Sequence, residues 1–221
     1  MTPPGARHPR AGEAGRCELR DDAMRLTDRF FGAVAYTAKI HARQRRKGSG
    51  APYFSHLMRV CGIALEHGAD EDEAIAALLH DAAEDQGGPP RLDDIRRRYG
   101  PRVAKIVAGC SDTLKSPKPP WRQRKEAYLA RLRRALPSVR LVVAADKLDN
   151  VRSILIDLRE RGEAIWSWFH GGRDGTLWYY RKVVQALRTN GSNRLVEELA
   201  RAVAELEQAA TGEQKEQKQS G

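Results

Sequence analysis

Six apolar residues in a row, Ala74–Leu79, run directly into His80, Asp81, Glu84 and Asp85 in the segment EDEAIAALLHDAAED. A helix that is apolar all round belongs inside a domain. Ionised carboxylates at the end of such a helix need a metal, bound cations or an open cavity. On a continuous helix over 71–85, His80 and Glu84 share one face and Asp81 and Asp85 the adjacent one, so four polar groups project into one sector. The same conflict recurs where Leu141–Ala145 meets Asp146, with Asp149, Asn150 and Ser153 following at i+3, i+4 and i+7. A third case is His56, in APYFSHLMRV, at a helix start just after Pro52 and Tyr53.

Each signal alone has a plain structural reading. HDxxED can be a solvated helix end, His56 a hydrogen-bonded core histidine, and Asp146 an ion-pair partner. Together, in chain order and on separate helices, they suit a borderline-to-hard divalent cation such as Mn²⁺, Fe²⁺ or Mg²⁺. The three cysteines (Cys17, Cys61, Cys110) are widely spaced with no CxxC, which excludes a disulfide framework and a cysteine-based zinc site. A reducing cytoplasm is the default expectation for such a chain.

The rest of the pattern is helical. Phe31, Val34, Ala35, Ala38 and Ala42 fall at helical spacing, as do Leu57, Val60, Cys61, Ala64 and Leu65. Asp70 is placed to cap the helix that carries Ala74–Leu79. Gly100 ends a short helix through Ile95 and Tyr99, and Pro101 opens the next, with Val103, Ile106 and Val107 inward. Residues 122–135, 137–160, 175–188 and 193–209 complete the set. Asn190-Gly191 lies between two helical patterns rather than in a hairpin. The expectation is an all-α single domain of about 8–10 helices over 21–210, with disordered tails at 1–20 and 211–221.

Lys and Arg number 39 against 29 Asp and Glu, a formal charge of +10, which favours anionic partners. Hydrophobic residues make up 41%, too many for a wholly disordered chain. The longest apolar stretches are far too short to span a bilayer, and no apolar segment follows the N-terminal arginines to make a secretory signal.

The segments HARQRRKGSGAPYFSH, AALLHDAAED, YGPRVAKIV and AADKLDNVRSI resemble the HD-superfamily hydrolase domain of RelA/SpoT-type alarmone enzymes, with greater similarity to the stand-alone small alarmone hydrolases. The resemblance spans roughly residues 27–206, and no synthetase domain is expected after it. It implies an HD-type helical fold with Mn²⁺ held by His56, His80, Asp81 and Asp146. It also implies catalytic carboxylates at Glu84 and Asp85, Arg46 and Lys47 beside the nucleotide base, Asn150 near the ribose, and Lys118 on a phosphate. Two positions depart from the family pattern. Asp149 stands where the long members usually have histidine. The basic loop between Lys47 and Tyr53 differs in length, which, with KSPKPPW at 115–121, leaves the base open.

The activity so implied is hydrolysis of the 3′-pyrophosphate of guanosine tetra- or pentaphosphate to GDP or GTP and pyrophosphate. Glu84, with Asp85, orients and deprotonates the water. Lys118, Arg122, Arg124 and Lys125 are placed to neutralise the leaving group, and Arg46 to stack on a purine. The expected partner is a small nucleotide polyphosphate, with no membrane, nucleic acid disfavoured and a homo-oligomer left open. Two alternatives remain. One is the same chemistry on a 3′-phosphorylated adenine nucleotide or NADPH. The other is a basic nucleic-acid-binding or regulatory protein with an inactive HD site, although no nucleic-acid-binding motif is recognisable. His41 and His67 read as structural. The aromatics between Trp166 and Tyr180 read as core and lid packing rather than a base-stacking surface, with one ring available to wall the pocket.

Overall fold

The computed structural model of the chain describes residues 25–189 and 191–219, with side chains as far as residue 212. The proposed N-terminal tail at 1–20 lies outside the described residues. Among these residues the fold is all-α: α1 (Asp28–Ile40), α2 (Phe54–Glu66), α3 (Glu71–Leu79), α4 (Ala82–Asp85), α5 (Gly88–Cys110), α6 (Trp121–Leu132), α7 (Pro137–Arg161), α8 (Gly172–Arg188) and α9 (Arg194–Gln219), with a 3-10 segment (Gly162–Trp168) between α7 and α8. No described helix is long and apolar enough to cross a membrane.

Two helices are buried on nearly every side, and they organise the rest. In α3 every residue from Ala74 to Leu79 is buried. In α7 the run Val142–Asp146 is buried without a break. α7 packs against α9, α2, α5 and α3, while α3 packs against α2, α5 and α1. The start of α3 is fixed by a capping box: Asp70 Oδ1 accepts from the Glu73 amide at 3.0 Å, and the Asp70 amide donates to Glu73 Oε2 at 2.9 Å.

Three details differ from the sequence expectations. The helix read over 71–85 is broken, because His80 and Asp81 form a turn between α3 and α4. The inner face of α1 consists of Phe30, Ala33 and Thr37, continued by the buried His41, while Phe31 is 59% exposed. Two of those inward positions are polar, so a count of apolar residues alone puts the helix one residue out of phase. Finally, α9 continues to Gln219, past residue 211 where a tail is expected. The stretch GEQKEQKQ contains no proline and is rich in Glu, Gln and Lys, which favour helix.

Gly100 behaves as expected. Its φ of 89° and ψ of 170° break α5 into two arms, and Pro101 starts the second. That backbone region is essentially restricted to glycine. Gly100→Ala is therefore expected to lower folding stability by about 1–3 kcal/mol, read as a lower midpoint in urea. An unchanged midpoint would mean that the kink relaxes at no cost.

Candidate active site

Three elements converge at the centre. α2 supplies His56 from its first turn, the α3–α4 break supplies His80 and Asp81, and α7 supplies Asp146. His80 Nδ1 lies 2.8 Å from the Ala77 carbonyl. A carbonyl only accepts, so Nδ1 carries the proton and Nε2 faces inward. His56 Nδ1 donates in the same way to Asp149 Oδ2 at 2.6 Å.

Carboxylate oxygens gather around the two inward nitrogens. His80 Nε2 lies 3.1 Å from Asp81 Oδ2 and 3.6 Å from Asp146 Oδ1. His56 Nε2 lies 3.4 Å from Asp146 Oδ1 and 3.9 Å from Asp81 Oδ2. Both Nε2 atoms are nevertheless buried without a hydrogen-bond partner. Ligand atoms of His56, His80 and Asp146 all fall within 4.8 Å of one another. Two buried imidazole nitrogens that face a shared carboxylate fit a divalent cation, which would take the place of any proton there, and the donor set matches a borderline-to-hard one.

The surroundings shift the proton affinities of Asp146 and His80 in opposite directions. Burial opposes the charge on Asp146, but the Lys147 ammonium and both imidazoles hold its carboxyl well below the usual range. Burial likewise opposes the charge on His80, yet Asp81 and Asp146 hold its pKa well above the ordinary value. Asn150 Nδ2 donates to Asp146 Oδ1, and Tyr53 donates its hydroxyl proton to Asp81 Oδ2.

The two carboxylates of α4 occupy different environments. Glu84 is tied down: Oε2 accepts from the Asp112 amide at 2.9 Å, and Oε1 pairs with Lys118 Nζ at 3.0 Å. Asp85 Oδ2 accepts from Gln44 Nε2 at 2.8 Å. Burial pushes the Asp85 pKa up, the charges of Asp81 and Glu84 add to this, and Gln44 and Lys118 counter it, leaving it at about 6.

A cavity of about 590 Å³ opens beside the cluster, walled by Arg46, Lys47, Asp85, Asn150, Trp168 and Tyr180 among others. The chain reaches it through an antiparallel bridge between Arg45 and Pro52, which turns the 45–52 loop back on itself. Within that loop, a Cβ on Gly48 would lie 2.6 Å from the Trp168 ring, so glycine allows the loop to close over the aromatic wall. Arg46 donates from NH2 to Asn150 Oδ1 at 3.2 Å.

The structure thus brings His56, His80, Asp81 and Asp146 together, with Asp85, Arg46, Lys47 and Asn150 around the adjoining cavity. Lys118 is not among the cavity walls and is held by Glu84 instead. Arg124 and Lys125 both pair with Asp112, at 3.0 and 2.9 Å. Arg122 departs from the expected phosphate role: it pairs with Glu126 at 2.7 Å and lies over the Trp178 ring. More than one aromatic ring walls the cavity, since Phe169 joins Trp168 and Tyr180. Sequence reasoning missed Gln44 as the Asp85 partner, Tyr53 as the Asp81 partner, and the contact of Asp149 with His56. Only Asp149 left a signal, as a member of the polar stripe on a buried helix.

Residues 33–177 match the HD domain family. The chain belongs to that family. It is 32% identical to the human guanosine-3′,5′-bis(diphosphate) 3′-pyrophosphohydrolase MESH1 over 75% of this chain and 87% of that protein. The Drosophila melanogaster MESH1 enzyme is 29% identical over 75% of this chain and 88% of its own length. A solved metazoan ortholog of SpoT, described as hydrolysing ppGpp and acting in starvation responses, superposes with a TM-score of 0.70 at 27% identity. That match covers 83% of this chain and 98% of the other.

Asp81 lies beside the His56, His80 and Asp146 group, and its place in a ligand set is open to a direct test. Asp81→Ala is expected to abolish Mn²⁺ binding in calorimetry while the far-ultraviolet dichroism stays helical. Mn²⁺ affinity equal to that of the parent protein would refute the ligand set.

Proposed function

We propose that this HD-domain protein is a Mn²⁺-dependent hydrolase that removes the 3′-pyrophosphate from guanosine tetra- or pentaphosphate, releasing GDP or GTP and pyrophosphate. The observation that carries this reading is the pair of unpartnered, buried imidazole nitrogens beside Asp81 and Asp146, next to a cavity with Arg46, Lys47 and Asn150 in its wall. The residues that would hold the metal are His56, His80, Asp81 and Asp146. A divalent cation there lowers the pKa of bound water and polarises a phosphoryl oxygen.

The protein's own groups supply the rest. Asp85 takes the proton of the attacking water, because its raised pKa places it near the working range of a general base. The water oxygen bonds to the phosphorus on the ribose 3′-oxygen, the P–O3′ bond breaks, and the 3′-oxygen takes up a proton. Glu84 anchors Lys118 and the Asp112 amide, and Asp112 in turn holds Arg124 and Lys125. This basic stretch favours the negative charge of the diphosphoryl group under attack and of the pyrophosphate it becomes. Asn150 serves the ribose, and Arg46 and Lys47 serve the base.

A guanidinium plane stacks on either purine, so the same site supports a second reading with a 3′-phosphorylated adenine nucleotide or NADPH as substrate. A nucleotide panel with purified protein and added Mn²⁺, scored by pyrophosphate and phosphate release, separates the two. Pyrophosphate from the guanosine compounds supports the proposal. Phosphate from the adenine compounds alone would replace it, and salt-sensitive nucleic-acid binding with no turnover would reject both.

The role of Asp85 gives a pH signature. A general base must be unprotonated, and burial favours the protonated form, so kcat/KM is expected to fall as the pH drops through about 6. Bound cation offsets the Asp81 charge and moves this limb lower, so raising the Mn²⁺ concentration should shift it toward acid. Asp85→Asn should keep Mn²⁺ binding and lose about 10²–10⁴-fold in turnover. A parent-like pH profile in Asp85→Asn would exclude it as the base.

A further inference from the structure

Asp149 is buried in the middle of α7 and adds a second link, beside the Asp146–Asn150–Arg46 chain, between the central cluster and the cavity wall. Its Oδ2 accepts from His56 Nδ1 at 2.6 Å. Its Oδ1 accepts from Arg59 Nε at 2.5 Å, and Arg59 NH2 reaches Oδ2 at 3.2 Å. Arg46 NH1 lies 3.6 Å from the same Oδ2, while its NH2 donates to Asn150 in the cavity wall. One carboxylate therefore meets a histidine of the central cluster, a guanidinium of the nucleotide cavity and an outer arginine that covers it.

We infer that Asp149 is a positioning residue that sets the tautomer and aim of His56 and, through Arg46, couples cation binding to nucleotide binding. The inference rests on reading the cluster as a metal site. With its proton fixed on Nδ1, His56 can present only the Nε2 lone pair to the centre, and a carboxylate partner also raises the basicity of that lone pair. The same charge restrains Arg46, a long side chain that would otherwise lose conformational freedom when nucleotide binds. Arg59 neutralises Asp149 from the solvent side, with about half of its own side chain exposed. Asp149 is also the position where the long alarmone-hydrolase members usually have histidine, so the link made here by a carboxylate differs from theirs.

Asparagine offers a single acceptor oxygen to two donors, so Asp149→Asn leaves either His56 or Arg59 facing an NH2 group. Three measurements test the inference. In the metal-free parent protein, ¹⁵N NMR should show His56 protonated at Nδ1 with a hydrogen-bonded proton. A His56 protonated only at Nε2 would overturn the assignment without any variant. In Asp149→Asn, Mn²⁺ affinity measured with the metal alone should fall about 10–100-fold, and the nucleotide KM should rise more than kcat falls at saturating Mn²⁺. Parent-like Mn²⁺ affinity would overturn it. Asp149→Glu restores two acceptors and should keep more Mn²⁺ affinity than Asp149→Asn; the reverse order would count against the inference even if the asparagine variant folded poorly. If the parent protein takes up no Mn²⁺, the metal reading fails by itself, and the NMR measurement still decides whether Asp149 orients His56.

Discussion

Everything in this fold depends on keeping charged groups inside it. His80 is buried at the C-terminal end of α3 and Asp146 inside α7, where an isolated charge is costly to desolvate. The cost is offset by mutual placement: acids next to imidazoles, Lys147 on the far oxygen of Asp146, and an amide from Asn150 on the near one. The packing of α3 against α2 and α5, and of α7 against α2 and α9, brings those partners together. Stability and chemistry thus share one set of contacts.

The acidic groups are not equivalent, and the differences divide the labour. Asp146 is stabilised as an anion by a neighbouring ammonium. Asp149 is held below its ordinary value by His56 and Arg59, although burial pushes the other way. Glu84 is engaged by an amide and an ammonium on separate oxygens. Asp85 accepts from the Gln44 amide but is partly buried and lies among like charges, so it binds its proton more tightly than usual. Asp146 and Asp149 are thereby held as anions, while Asp85 is able to exchange a proton near neutrality.

Much of this was legible in the sequence. The all-α class, the Asp70 cap and the Gly100-Pro101 break follow from local patterns that tertiary packing did not override. The four residues of the cluster were visible because polar groups on apolar helices contradict their surroundings. The face of α1 was not legible, since it buries Thr37 and His41 where the pattern favours apolar residues. The break at His80-Asp81 was also hidden, because LLHDAAED contains no glycine or proline to mark it. The links from Gln44 to Asp85 and from Asp149 to His56 span 41 and 93 residues, distances over which local periodicity carries no information.

The turn at His80-Asp81 has a consequence of its own. On a regular helix, adjacent side chains diverge by about 100°. At this turn, with Asp81 at φ −96° and ψ −4°, His80 Nε2 and Asp81 Oδ2 come within 3.1 Å of each other, so one bound cation would be within reach of both. His56 and Asp146 stand on their own helices, and those can shift by small amounts as loops lengthen or shorten between them. The dipeptide has no such latitude, because one residue inserted between its members would part the two side chains.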